Sequence, residues 1–215
     1  IFHNIYLKHK HFIKKKSYSM DGEDFFIVEY FRKKNNGFYI DVGCYHPIHR
    51  NNTYLLHNNG WSGINIDIHQ FSIDLFNYLR PDDINLNCAV SDTNGVTKMF
   101  YQKALSQLST IDEFQAKIAF QGNIKKSIIK SLTLDTILEK TKLTDKKIDL
   151  LDIDVEGADL RVLKGFTIEK FKPELICVEI HEKEIKSSGV YKYLSNFSYE
   201  LVWSGVFSHI FKSKS

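Results

Sequence analysis

The segment Ile148–Ile153 places apolar side chains at Ile148, Leu150, Leu151 and Ile153, with no strict alternation. A strand shows that pattern when both of its faces are covered, which happens inside a mostly parallel sheet flanked by helices. Other segments supply the alternation such a sheet needs. Asp21 to Lys34 reads as a helix, closed by Gly37 before the short strand Phe38–Val42. A helix around Thr53–Asn58, a turn at Asn59-Gly60, a strand Ile64–Asp67 and a helix Phe71–Leu79 follow. Ile84–Val90 is expected to be a third strand, paired as a hairpin with Val96–Tyr101 across Ser91–Gly95. Helices are expected near Ile111–Phe120, at Leu134–Leu138, at Ala158–Lys164 with Gly165 as its stop, and near Val190–Phe197. Leu175–Ile180 is another apolar strand, and Tyr199–Trp203 with Val206–Phe211 forms a terminal hairpin. These elements predict a Rossmann-like α/β fold, mostly parallel, with helices on both faces and an antiparallel last strand.

A chain of 215 residues with 43% hydrophobic and 26% charged residues has room for one sizeable core. One domain over 21–215 is expected, because no repeat or linker interrupts it. Residues 102–130 have no clear place in the sheet, which marks them as an acceptor-side insertion. The net charge of +3 is too small to imply nucleic acid, and nucleic acid is not expected as a partner. The basic excess is concentrated in an arm over 1–20, at Lys8, Lys10, Lys14, Lys15 and Lys16 with His9 and His11. It reads as a solvated tail, with an anionic or membrane-surface contact as the other reading. No run of about eighteen apolar residues exists, so no membrane span is expected. The first residue is Ile1 rather than Met, so upstream sequence is expected to be missing; residues 1–20 do not resemble a secretory signal. Cys44, Cys88 and Cys177 are widely spaced without a CxxC pair, which points to a reducing compartment, a cytoplasmic location and no zinc site.

Ligands of open α/β sheets sit at the carboxyl ends of strands, where strand order reverses. Asp41-Val42-Gly43-Cys44 is such an end. Alone it reads more readily as a turn, but Gly43 also lets a ligand approach the backbone and Asp41 offers a carboxylate. The G-x-G-x-x-G fingerprint of a pyrophosphate site is absent. Asp67, 26 positions after Asp41, is near the ~20-residue spacing at which a carboxylate meets a ribose diol, and it also reads as an exposed loop aspartate. Asp152-Ile153-Asp154-Val155-Glu156-Gly157 would send three carboxylates to one side of an extended chain, and Glu156 could instead cap the next helix. Glu179 and His181 share a strand face, where a carboxylate can orient an imidazole for general-base work.

In order along the chain, Gly37–Cys44, Asn52-Thr53, Gly60-Trp61-Ser62-Gly63-Ile64, Ser131–Asp135, Asp154-Val155-Glu156-Gly157-Ala158-Asp159 with Leu163-Lys164-Gly165, and Cys177–His181 resemble the FkbM family of S-adenosylmethionine-dependent methyltransferases. The resemblance covers about residues 20 to 211. It implies a class I methyltransferase sheet of seven strands and O-methylation of a hydroxyl on a sugar, glycan or small secondary metabolite. It also implies S-adenosylmethionine held by Asp41 and Gly43 at its methionine end, by Asp67 at the ribose and by Asn87-Cys88 at the adenine edge, with Cys44 and Asp154 at the same cofactor site. Asp154, His181 and Glu179 are the expected catalytic residues, with His181 or Asp154 taking the acceptor proton. Asp67 stands where the family has glutamate, Cys44 and Pro47 where many members have alanine and glycine, and Asp152 where lysine is common. This last change leaves room for a divalent cation, although no metal site is expected. The rival readings are a nicotinamide-dependent oxidoreductase, disfavoured by the missing glycines, and a cofactor-binding pseudoenzyme module without turnover.

Overall fold

The structure is a computed structural model that describes residues 1–8 and 16–214. His9, Lys10, His11, Lys14 and Lys15 of the expected basic arm lie outside the described residues. The first described residues are not a free tail: Ile5 is fully buried against Ile48 and Leu75.

The main sheet has seven strands. Its central pair is β1 (Phe38–Val42) and β7 (Leu150–Ile153), which run parallel with Asp41 opposite Asp152. On one side lie β2 (Ser62–Asp67) and β3 (Ile84–Asn87), both parallel to β1. On the other lies β8 (Leu175–Glu179), parallel to β7, followed by β10 (Ser208–Ser213) and the edge strand β9 (Tyr199–Ser204). The final strand β10 is antiparallel to both its neighbours. The order reverses between β1 and β7, so the switch point of the sheet lies where Gly43 follows β1 and Asp154 follows β7.

Both faces of the sheet are buried, as the unalternated apolar run of β7 predicts. Ile40, Val42, Leu151, Ile153, Ile176 and Val178 pack on one face. That face is covered by α5 (Leu134–Lys140), α6 (Asp159–Lys164) and α8 (Gly189–Asn196). Tyr39, Leu150, Leu175 and Ile210 pack on the other, beneath Ile27 of α1 (Glu23–Tyr30), Leu56 of α2 (Tyr54–Asn58) and Trp61. The remaining helices are α3 (Gln70–Leu79), which packs on β2 and β3, α4 (Glu113–Ala119) and the single turn α7 (Ile168–Phe171).

One expectation fails. Ile84–Val90 is not a single strand and does not form a hairpin with the segment after it. It splits into β3 and the two-residue β4 (Ala89–Val90), and β4 leaves the main sheet. A second sheet, ordered β4-β6-β5, forms from β4, β5 (Gly95–Tyr101) and β6 (Lys125–Leu132). The strand β5 pairs antiparallel along all of β6, from Gly95 opposite Ser131 to Tyr101 opposite Lys125. A two-residue β4 cannot supply a ladder of that length, whereas β6 can. β6 is hard to read because only Ile129 and Ser131 are buried, between the exposed Lys130 and Ile128. Its alternation is therefore carried by one apolar residue. Among the described residues, no helix is long and apolar enough to cross a membrane.

Candidate active site

Two cavities open at the carboxyl end of the sheet and meet at Gly43, Gln107 and Asp154. The smaller, about 480 Å³, runs from Gly43 past Asp67 and His69 to Cys88, Ala89 and Val90. The larger, about 990 Å³, is lined by Asp41, Asp152, Asp154, Glu156, Glu179 and His181, among others.

Gly43 is needed for the meeting of the two central strands. It has φ +87°, and a Cβ built on it would lie 1.8 Å from the Asp154 carbonyl oxygen. The amides of Gly43 and Cys44 both donate to the Ile66 carbonyl, at 2.8 and 3.1 Å, and the Asp154 amide donates to Val42 at 2.9 Å. The loops after β1, β2 and β7 are thereby tied at one point. The Cys44 side chain turns into the core against Ile73 and Phe76, and burial raises its thiol pKa well above the usual value.

The Asp67 carboxylate is held by two backbone amides, Tyr45 N–H at 2.9 Å and His69 N–H at 2.7 Å, one on each oxygen. It is buried, not the exposed loop aspartate that was the other reading. Burial pushes its pKa up to about 6, against the opposing pull of those two donors. The Ser72 hydroxyl also helps to stabilise its charge, and Asp67 lines the smaller cavity. Asn87 is exposed and its amide donates to the Asp67 carbonyl at 3.0 Å, which sets it on the rim; Cys88 lines the wall.

Asp41 takes hydrogen bonds from Asn51 (3.0 Å) and from the Thr53 hydroxyl (2.8 Å). Those two residues are gripped in turn by Arg80, whose guanidinium also donates to the Tyr39 hydroxyl and the Pro47 carbonyl. Arg80 is only 1% exposed. Nothing in the sequence marks it, since a lone arginine at the end of a surface-type helix ordinarily points to water.

The three carboxylates Asp152, Asp154 and Glu156 do line one cavity, although the strand itself stops at Ile153. Asp152 accepts from Asn52 at 3.1 Å. Asp154 has a buried oxygen, Oδ1, with no hydrogen-bond partner among the described residues. Burial, then neighbouring carboxylates (Asp41 at Asp152, Glu179 at Asp154), raise the pKa of both well above the usual range. Glu156 does not cap α6. Asp159 instead accepts the amides of Val155 (3.3 Å) and Gly157 (3.1 Å). Glu156 adopts φ 55°, a left-handed backbone that directs its side chain into the cavity. Tyr45 and Arg50, at φ 53° and 49°, carry the same uncommon conformation in the facing loop. Such residues cluster where structure serves a site.

Glu179 and His181 come together, with Oε2 and Nε2 2.9 Å apart. This contact raises the His181 pKa to about 9, so the imidazole is charged near neutrality rather than a free base. Glu156 is raised to about 8 by burial and by the Glu179 charge. Gln107 lines both cavities, while Leu108, Gln115 and Ala119 line the acidic one, so the 102–130 segment does contribute wall. Phe120 is buried with Phe100 and Ala116, whereas Phe114 is exposed.

A cavity at the switch point of a seven-stranded sheet with an antiparallel last strand is what the expected methyltransferase architecture requires. The model of the methyltransferase FkbM domain matches residues 41–201, from Asp41 near the end of β1 into β9. No curated protein and no solved structure matches the chain. The chain therefore belongs to the FkbM methyltransferase domain family.

Proposed function

We propose that this methyltransferase uses S-adenosylmethionine and methylates a hydroxyl on a sugar, a glycan or a small secondary metabolite. The observation that carries the reading is the junction of two unlike cavities at Gly43 and Asp154. The smaller fits a nucleoside. Asp67 presents a carboxylate in the wall to meet a ribose diol, and Ile68, Cys88, Ala89 and Val90 offer an apolar slot for a flat base. No cradle of glycines for a pyrophosphate is present beside it. Asp41 and Gly43 would hold the methionine end where the cavities join.

When bound, the cofactor supplies an electrophilic methyl: the acceptor oxygen bonds to the methyl carbon as the C–S electron pair returns to sulfur. The protein's part is to place the acceptor and take its proton. A neutral amine attacks without prior deprotonation, whereas a hydroxyl must lose a proton, so a carboxylate-lined acceptor cavity suits a hydroxyl. Asp154 is the residue we assign to that proton, because its unpartnered oxygen lies in the wall common to both cavities. His181, oriented by Glu179, positions the acceptor from the far wall. Three free, buried cysteines support a reducing, cytoplasmic setting.

Calorimetry with S-adenosylhomocysteine and with NAD tests the cofactor assignment, and release of S-adenosylhomocysteine in the presence of sugar and amine acceptors tests the chemistry. Binding of the thioether but not of NAD, with turnover on hydroxyl acceptors, is expected. Absence of thioether binding, or turnover on amines alone, would sink the reading.

A further inference from the structure

We infer that Glu156, Glu179 and His181 form a site for a divalent transition-metal cation at the floor of the acidic cavity. The three side chains bring one donor atom each to within 4.8 Å of one another. Bonds of about 2.1 Å to nitrogen and oxygen donors put neighbouring ligands roughly 3 Å apart and opposite ones a little over 4 Å apart. The triad needs only a small side-chain adjustment to close on an ion, and His181 releases its Nε2 proton to solvent as it ligates.

Independent features point to a ligand here and not to a chance gathering of acids. Glu156 is 6% exposed, yet none of the described residues donates a hydrogen bond to its carboxylate. Its backbone is held in a left-handed conformation, next to Gly157 at φ 91°, and this turn aims it at Glu179 and away from the helix it precedes. Asp154 adds a second unanswered group, its buried Oδ1, in the same cavity. Seven carboxylates line the cavity in all, and Arg50, on the opposite loop, is already tied to Gln107.

The donor set narrows the ion. One imidazole with two carboxylates suits Mn²⁺, Fe²⁺ or Zn²⁺, whereas Ca²⁺ favours an all-oxygen shell. Three protein ligands leave coordination positions open to the cavity. In the methyl-transfer reading, on which this role rests, an open position takes the acceptor hydroxyl. The ion polarises the O–H bond and Asp154 receives the proton.

Binding is testable without turnover. Chelator-stripped protein is titrated with Mn²⁺ alone, followed by electron paramagnetic resonance and by thermal melting, and separately with S-adenosylhomocysteine. The unaltered protein is expected to bind one Mn²⁺ and to melt at a higher temperature with it, because an ion held only by the folded state stabilises it. Glu156→Gln, Glu179→Gln and His181→Ala should each weaken Mn²⁺ at least about tenfold while still showing a cooperative melt; Glu139→Gln, on an exposed helix face, should not weaken it. Glu156→Gln keeps the size and shape of the side chain, so its fold is expected to survive. No saturable Mn²⁺ or Zn²⁺ binding, or binding that persists in Glu156→Gln, overturns the site. Failure of S-adenosylhomocysteine to bind while Mn²⁺ binds at the triad would instead count against the cofactor assignment.

Discussion

The α-carbon of Gly43 and the backbone carbonyl of Asp154 approach so closely that no side chain can stand between them. This contact joins the two strands at which the sheet reverses its order, and the two cavities meet across it. Gly43→Ala must therefore strain a left-handed backbone, at about 1–2 kcal/mol, and push the β7 loop away as well. A loss of at least about 2 kcal/mol in urea unfolding, together with loss of S-adenosylhomocysteine binding, is the expected outcome. Retention of both at the original level would show that the contact is not needed.

Cofactor affinity should depend on pH through Asp67. The ionised carboxylate accepts from a diol, and the protonated one loses part of that capacity. Because burial places the pKa at about 6, the ionised fraction falls as pH drops through 6. The dissociation constant for S-adenosylhomocysteine is expected to rise several-fold between pH 7.5 and 5.5 in calorimetry. Asp67→Asn should bind more weakly and show a flat profile over that range.

Arg80 is buried with four hydrogen-bonded partners, two of which hold Asp41. Arg80→Met leaves those groups and the nearby carboxylates unanswered, and breaking a buried charged network in this way costs roughly 3–5 kcal/mol. Arg80→Lys should recover little, since an ammonium cannot reproduce the planar fork. Denaturant titration of both variants checks this.

Asp154→Asn should lower turnover by roughly 10²–10⁴-fold with S-adenosylhomocysteine affinity nearly unchanged. Full turnover in that variant would remove Asp154 from the proton's path.

All three cysteines are buried, and burial raises their thiol pKa values, Cys88 to about 11. Thiolate is the reactive form, so a disulfide reagent at pH 8 should leave native protein unmodified over minutes and label it fully in denaturant. Rapid native labelling of Cys88 would mean that the smaller cavity opens more widely than the structure has it.

Much of the sheet is legible along the chain because each strand declares its own burial. β1, β2, β7 and β8 are short apolar runs, with Asp41 near the end of β1, Asp67 closing β2 and Asp154 just after β7. β6 is illegible for the opposite reason: with Lys125, Lys126 and Lys130 facing out, only one apolar residue reports its inner face. The hairpin expected across Ser91–Gly95 fails because sequence neighbours compete with a longer partner farther along the chain, and a ladder of seven pairs to β6 outweighs a two-residue β4.

Local sequence determined which residues are apolar on both faces, where strands end in carboxylates, and the ordered blocks of the FkbM family, since these depend only on neighbours along the chain. Tertiary structure alone decided the rest. Glu156 looks like a helix cap in sequence, and only the left-handed turn beside Gly157 sends it to Glu179 and His181. Arg80 looks like a surface residue until Tyr39, Pro47, Asn51 and Thr53 surround it. Asp41-Val42-Gly43-Cys44 reads as a ligand loop in sequence, and the backbone of Asp154 explains why its third residue is glycine. These outcomes depend on groups remote in sequence being brought within a few ångströms. Burial then sets their charge, and no local pattern encodes that.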